Sequence, residues 1–132
     1  MSKVFSLSEA ALIGIHSVLL IARSEEQLNA IQISEQLKAS KHHVAKVLQR
    51  LVKDNILTSQ RGPTGGFVLN RKPHEITIYD IYKSIEGELD HVHCMMDIDV
   101  CPYGKCIMGK FGSKFSDDFK KYLQENTLDS YM

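Results

Sequence analysis

Three cysteines, Cys94, Cys101 and Cys106, fall close together, with intervals of six and four residues between them. The same stretch holds His91, His93, Asp97 and Asp99. Thiolates are soft ligands, so three of them with one further nitrogen or oxygen donor suit zinc or an iron–sulfur centre, and a flexible loop can wrap such a site. Cys101-Pro102, and the small Gly104 before Cys106, would let the chain turn away from it. No CxxC pair is present, and a cysteine is also simply a small hydrophobe, so free or buried thiols account for the same residues without a metal. The loop offers no visible combination of oriented base, oxyanion donors and substrate cavity, which argues against a thiol enzyme.

A second concentration of chemistry lies upstream. From Lys38 to Lys72 eight Lys or Arg residues face the single Asp54, a local net charge of +7 in a chain whose total is zero. The total suggests no partner, but the distribution fits an element that faces phosphate. A charge run alone is usually a solvated face, so the pattern beneath it decides.

That pattern is helical. Leu7 to Arg23 reads as a first helix whose apolar residues cover more than one narrow stripe, so it should be buried on two sides, and a partner subunit is one way to bury the second. Ile31 to Lys38 makes a short second helix, and the Ala39-Ser40 step breaks the run. Ser40 is an N-cap for a third helix, Lys41 to Asn55. Val44, Val47, Leu48 and Leu51 give it one core face, while Lys46, Gln49, Arg50 and Lys53 lie toward the other side. Two short helices with a tight turn, the second basic on its outer face, deliver side chains into a major groove.

A hairpin follows, Ile56 to Gln60 and Phe67 to Asn70, around a tip of Arg61-Gly62-Pro63-Thr64-Gly65-Gly66. Glycines free the backbone and Pro63 pre-sets one torsion. Arg61 at the base, with Arg71 and Lys72 at the exit, could straddle phosphates. The tip lacks the Gly-Lys-Ser/Thr ending of a nucleotide loop and no long βαβ unit surrounds it, which discounts nucleotide binding. Ile78 to Glu86 should be another short helix stopped by Gly87. From Ile107 the most regular stripe in the chain appears: Ile107, Phe111, Phe115, Phe119 and Leu123, four residues apart, too large an apolar strip to leave in water. It suits either the last helix of a monomeric core or a dimer interface.

The fold class read from these elements is mainly α with a small β wing: a winged helix-turn-helix domain plus a long C-terminal helix, a dimerisation helix if its apolar stripe meets a second copy. The divisions are 1–87 for the DNA-binding domain, 88–106 for a cysteine-containing sensory loop, and 107–132 for the dimerisation helix and tail. At 132 residues there is room for one domain with a core and a projecting element, not two lobes. The apolar run from Ala10 to Ala22 is too short for a membrane span and no cleavable signal pattern precedes it, so the expectation is a cytoplasmic protein with no membrane partner and reduced thiols.

These elements and residues resemble the family of bacterial winged helix-turn-helix regulators that contains IscR, NsrR and CymR. The strongest signal is Arg61-Gly62-Pro63-Thr64-Gly65-Gly66-Phe67-Val68-Leu69, similar to the family's wing string of R-G-P-x-G-G-aromatic-x-L. Ile33-Ser34-Glu35 resembles the start of its second helix, and Leu48-Gln49-Arg50-Leu51-Val52-Lys53 with Asn55 and Leu57 the end of its recognition helix. The resemblance implies a homodimer in which the long last helix crosses its twin and packs on the partner's first helix. Two reading helices would then address successive major-groove faces of a near-palindromic duplex DNA operator.

For DNA contact, Ser40, Lys41, His42 and His43 begin the reading helix, where side chains approach base edges, and Lys46 and Arg50 reach bases or backbone. Lys53, Arg61 and Lys72 suit phosphate. The histidines are also ordinary solvent-facing residues of a helix start. The family's iron–sulfur assembly repressor has an acidic residue where this chain has Ala45, so its DNA motif does not transfer.

For the cysteines, the resemblance is looser. Cluster-binding members look like C-x5-C-x5-C in this loop, whereas the middle cysteine falls one place later in this chain. Gly109 stands where the assembly repressor has a histidine ligand. The nitric-oxide sensor draws a carboxylate from near the start of the partner's first helix, and Glu9 lies within one residue of that place. The implied set is therefore Cys94, Cys101 and Cys106 with Glu9 as candidate fourth ligand, His93, Asp97 and Asp99 competing, around an iron–sulfur cluster of 2Fe-2S or 4Fe-4S type, or zinc, or no metal. The functional expectation is a transcriptional repressor sensing cluster state, nitric oxide or redox state. A metal-free thiol- or small-ligand-responsive regulator of the same fold is the alternative, and a protein-interaction adaptor or thiol enzyme a further one.

Overall fold

The computed structural model describes residues 3, 5–90, 94, 96, 98 and 101–132. Helix α1 spans Glu9–Arg23, two residues shorter than its hydrophobic pattern, because Ser8 caps it: the Ser8 Oγ accepts from the Ala11 N–H at 3.1 Å. Ala11, Ile13, Val18 and Ile21 are buried, and α1 touches the second, third and fourth helices and the wing. Its broad apolar surface is thus largely covered within its own chain, so the breadth alone does not call for a partner. Leu12 stays 42% exposed.

Helix α2 (Ala30–Leu37) starts earlier than the sequence pattern suggests, because Asn29 and Gln32 form a capping box, each side chain taking the other's backbone N–H at 2.9 Å. Ile33-Ser34-Glu35 therefore lies inside the helix rather than at its start. Lys38 ends α2 in a left-handed turn, and Ser40 caps α3 (Lys41–Lys53), its Oγ accepting from the His43 N–H. Val44, Leu48 and Leu51 are wholly buried and Val47 nearly so. The third helix ends at Lys53, not Asn55. Asn55 takes φ 63°, a conformation asparagine tolerates better than most residues, and so turns the chain into the first strand.

Strands β1 (Leu57–Gln60) and β2 (Gly66–Leu69) form an antiparallel wing, with Leu57 opposite Leu69 and Gln60 opposite Gly66. Leu28, between α1 and α2, makes an isolated bridge to Phe67, whose N–H donates to the Leu28 carbonyl at 2.9 Å. This contact requires glycine next door: a Cβ on Gly66 would stand 2.6 Å from the Leu28 carbonyl oxygen. At the base, Asn70 donates to the Asn55 carbonyl at 3.0 Å and accepts from the Thr58 hydroxyl at 2.8 Å.

Helix α4 (Ile78–Glu86), capped by Thr77 and stopped at Gly87 as its sequence suggests, packs on α1 and α3. Helix α5 covers Phe111–Glu125, a turn later than the stripe that begins at Ile107. The cause is local: the Gly109 N–H bonds the Cys106 carbonyl and Gly109 sits at φ 60°, so a turn fills 106–109. The stripe also divides. Leu123 is 3% exposed and belongs to the core of its own chain, Phe119 is half-buried, and Ile107, Phe111 and Phe115 are 86%, 62% and 42% exposed.

After α5 the chain returns to the core. Leu128 is fully buried, the Ile78 N–H donates to Asn126 and the Leu128 N–H to Ile76, both at 2.9 Å. Glu88 ties the other flank, receiving Lys83 at 3.0 Å, the Tyr79 hydroxyl at 3.1 Å and Lys120 of α5 at 3.4 Å. The Lys83 ammonium holds the Glu88 carboxyl below its ordinary pKa. The tail is thus part of the domain's packing. Leu128→Ala should lower unfolding free energy by about 2–5 kcal/mol. Urea denaturation checks it, and an unchanged midpoint would mean the tail is not anchored.

Candidate nucleic-acid interface

The apolar face of α3 is turned wholly inward, which leaves Lys41, His42, Lys46, Gln49, Arg50 and Lys53 exposed. His42, Lys46, Gln49 and Lys53 recur at helical spacing along one lane opposite the buried residues. Gln49 belongs to this lane although it was not among the sequence-derived contacts; its spacing from His42 and Lys46 was the available signal. A glutamine carries both donor and acceptor, so it suits a base edge as well as a phosphate.

The remaining residues expected to meet DNA divide. Ser40 is exposed, and its oxygen is used in capping while its hydroxyl proton stays available. His43 is half-buried, its Nδ1 3.9 Å from a Glu9 carboxylate oxygen of the same chain. Arg50 bends back: its Nε donates to the Ser84 carbonyl of α4 at 2.9 Å and lies 3.9 Å from Asp54. Arg61 and Lys72 are exposed at the two ends of the wing. Arg71 is not, being turned toward Asp80 at 3.7 Å rather than outward beside Lys72. The exposed basic residues thus include Lys41, Lys46, Arg50 and Lys53 on α3, and Arg61 and Lys72 at the ends of the wing.

The cysteine loop has a simpler geometry. Cys94 is half-buried and Cys101 and Cys106 are exposed, with no disulfide among them. Cys101 and Cys106 each open a turn closed three residues later by a glycine: the Gly104 N–H meets the Cys101 carbonyl at 3.4 Å and the Gly109 N–H meets that of Cys106 at 3.0 Å. Two thiols presented on successive turns, with Cys94 before them, fit a soft metal in donor type. Among the described residues no three His, Cys, Asp or Glu side chains are gathered closely enough to hold a metal ion. His91, His93, Asp97 and Asp99 lie outside the described residues. Glu9 is at the start of α1, its side chain 71% exposed.

Residues 7–132 match the family Rrf2, described as iron-dependent transcriptional regulator. The chain belongs to the Rrf2 family. Among relatives, IscR of Pectobacterium atrosepticum is 28% identical over 98 residues, 74% of this chain and 59% of that protein. NsrR of Geobacillus kaustophilus is 33% identical over 70 residues, 53% of this chain and 48% of that one. The chain spans about half the length of the curated relatives it matches. The solved structure of CymR, the global cysteine regulator of B. subtilis, superposes with a TM-score of 0.78 over 97% of this chain and 98% of that one at 24% identity, a likeness of fold. The Rrf2 fold accounts for the order of helices, wing and long last helix. No helix among the described residues is long and apolar enough to cross a membrane.

The different settings of Lys46 and Arg50 predict different costs. Arg50→Ala removes a charged hydrogen bond between α3 and α4 and should destabilise the domain by on the order of 1 kcal/mol. Lys46→Ala, which touches solvent only, should stay within about 0.5 kcal/mol of the parent. Paired urea denaturation curves distinguish them, and equal midpoints would refute the division.

Proposed function

We propose that this chain is a DNA-binding transcriptional repressor that works as a homodimer on a near-palindromic operator. The observation that carries this reading is the exposed lane His42, Lys46, Gln49 and Lys53, on a helix whose other face is locked into the core, followed in the chain by a wing that exposes Arg61 and Lys72 at its two ends. Lys53, Arg61 and Lys72 hold phosphates; Ser40, Lys41, His42 and Gln49 approach base edges, with Lys46 between the two roles. His43 stands beside Glu9, and the exposed Arg50 both ties α3 to α4 and reaches bases or backbone. Ile107, Phe111 and Phe115 present the apolar surface for a second copy, with Phe119 at its inner edge.

Cys94, Cys101 and Cys106 would hold an iron–sulfur cluster, with Glu9 of the partner subunit as fourth donor and His93, Asp97 or Asp99 as competitors. When bound, such a cluster supplies a link between loop and helix that nitric oxide or oxidation can alter. The loop runs directly into α5, and Glu9 opens α1, the helix on which α3 packs. A change in what Cys106 and Glu9 contact therefore bears on the elements that space the two reading heads. The solvent exposure of Cys101 and Cys106 also supports a second reading, a metal-free switch in which thiol oxidation does the same work.

Selection from random duplexes should return a near-palindrome with half-sites about one helical turn apart. Lys46→Ala should weaken binding to it by about tenfold or more while the fold is kept. Recovery of no preferred sequence would overturn the reading. Anaerobically isolated protein should contain iron and sulfide, and Glu9→Ala should lower both. Colourless protein without iron, sulfide or zinc would favour the thiol switch, and loss of iron in His93→Ala but not Glu9→Ala would place the fourth donor within one chain.

A further inference from the structure

Behind the reading helix, where α3, the exit of the wing and α4 meet, lies an open cavity of about 250 Å³ lined by Asp54, Ile56, Arg71, Asp80, Lys83 and Ser84. Two of these side chains are anionic and two cationic, and one alone is apolar. The arrangement is under-bonded. The Arg71 guanidinium donates no hydrogen bond among the described residues: its one ionic neighbour is Asp80 at 3.7 Å, and its Nε is buried without a partner. Of the five donors of this guanidinium, which is 35% exposed, the buried Nε–H is the one costly to leave unmade.

The carboxylates are also half-used. Asp54 accepts the Ser84 hydroxyl at 2.6 Å and lies 3.9 Å from Arg50, Asp80 accepts the Thr77 N–H at 3.0 Å, all through Oδ2, and each Oδ1 is left for solvent or an occupant. Lys83 spends one of its donors on Glu88 and keeps two. An anion alone would meet two carboxylates in this cavity, and a cation alone would meet Arg71 and Lys83. A molecule bearing both charges can meet Arg71 and the two carboxylates together.

We propose that this cavity is a binding site for a small polar α-amino acid, its carboxylate on Arg71 and its ammonium between Asp80 and Asp54. Guanidinium matches carboxylate in bidentate geometry, which suits Arg71 to that role better than Lys83. The volume admits a short side chain, and Ser84 with Ile56 offers it one hydroxyl and little apolar surface. The position gives binding a consequence. Asp54 ends the reading helix, Arg71 leaves the wing and Asp80 stands on α4, so an occupant joins the three elements whose mutual angle sets the DNA-facing surface.

The test is an amide NMR titration of the full chain with glycine, L-serine and L-asparagine, beside acetate and ethanolamine, which each carry one of the two charges. At least one amino acid should give saturable shifts at Asp54, Ile56, Asp80 and Ser84, with acetate and ethanolamine about tenfold weaker or worse. Arg71→Gln, and separately Asp80→Asn, which keeps an oxygen for the α4 cap, should each weaken the amino acid about tenfold. No saturable shift with any of the three, acetate binding as tightly as the amino acids, or unchanged binding in both variants would overturn the site. Because this readout uses no DNA, its failure is separate from failure of the regulator reading.

Discussion

The packing of α3 on α1 is the constraint from which the rest of the structure follows. Val44, Val47, Leu48 and Leu51 occupy one side of a short helix, and once they are buried the rotation of that helix about its axis is fixed. Burying such side chains is worth roughly 1.5–3 kcal/mol each, far more than any solvated charge on the opposite side gains from its surroundings. The lane of His42, Lys46, Gln49 and Lys53 points outward because the other face cannot. Arg50 strengthens the same constraint by tying α3 to α4 through the Ser84 carbonyl. A basic residue within this charged region thus serves the geometry of the others.

The wing and the C-terminal helix are positioned from that centre. Leu28 pairs with Phe67, so the chain between the first two helices supports the wing, and Asn70 holds its base to the end of α3. Leu123 and Leu128 tether α5 to the core, and Glu88 adds a polar tie between α4 and α5. Phe5 covers part of the aromatic line, its ring 5.5 Å from Phe115 and 5.1 Å from Phe119 in edge contacts. The apolar surface left over lies toward Ile107 and Phe111, next to the cysteine turns. The cysteine turns and the candidate dimer surface are therefore contiguous.

Much of this was legible in the residues. The period of Val44, Val47, Leu48 and Leu51 gave the orientation of α3, Ser40 its start, and the glycine-rich string between two short β runs the wing. What could not be read depended on contacts distant in sequence or on single turns. Arg50 and Arg71 carry charges like their neighbours, and only the fold brings Arg50 to the Ser84 carbonyl and turns Arg71 toward Asp80. Leu123 shares the spacing of the phenylalanines, yet the return of the chain through Leu128 puts it in a different environment. Gly109 was read for the ligand it lacks; its left-handed turn also delays α5.

The central claim is that the outward lane of α3 and the wing form one phosphate-facing surface. It is tested most directly by the salt dependence of duplex binding by the intact protein. If Lys46, Lys53, Arg61 and Lys72 each neutralise a phosphate in both subunits, log affinity should fall linearly with log salt concentration, with a slope of roughly −0.9 for each phosphate contacted and about −7 in total. A slope near zero, or binding that saturates no duplex at low salt, would contradict the account.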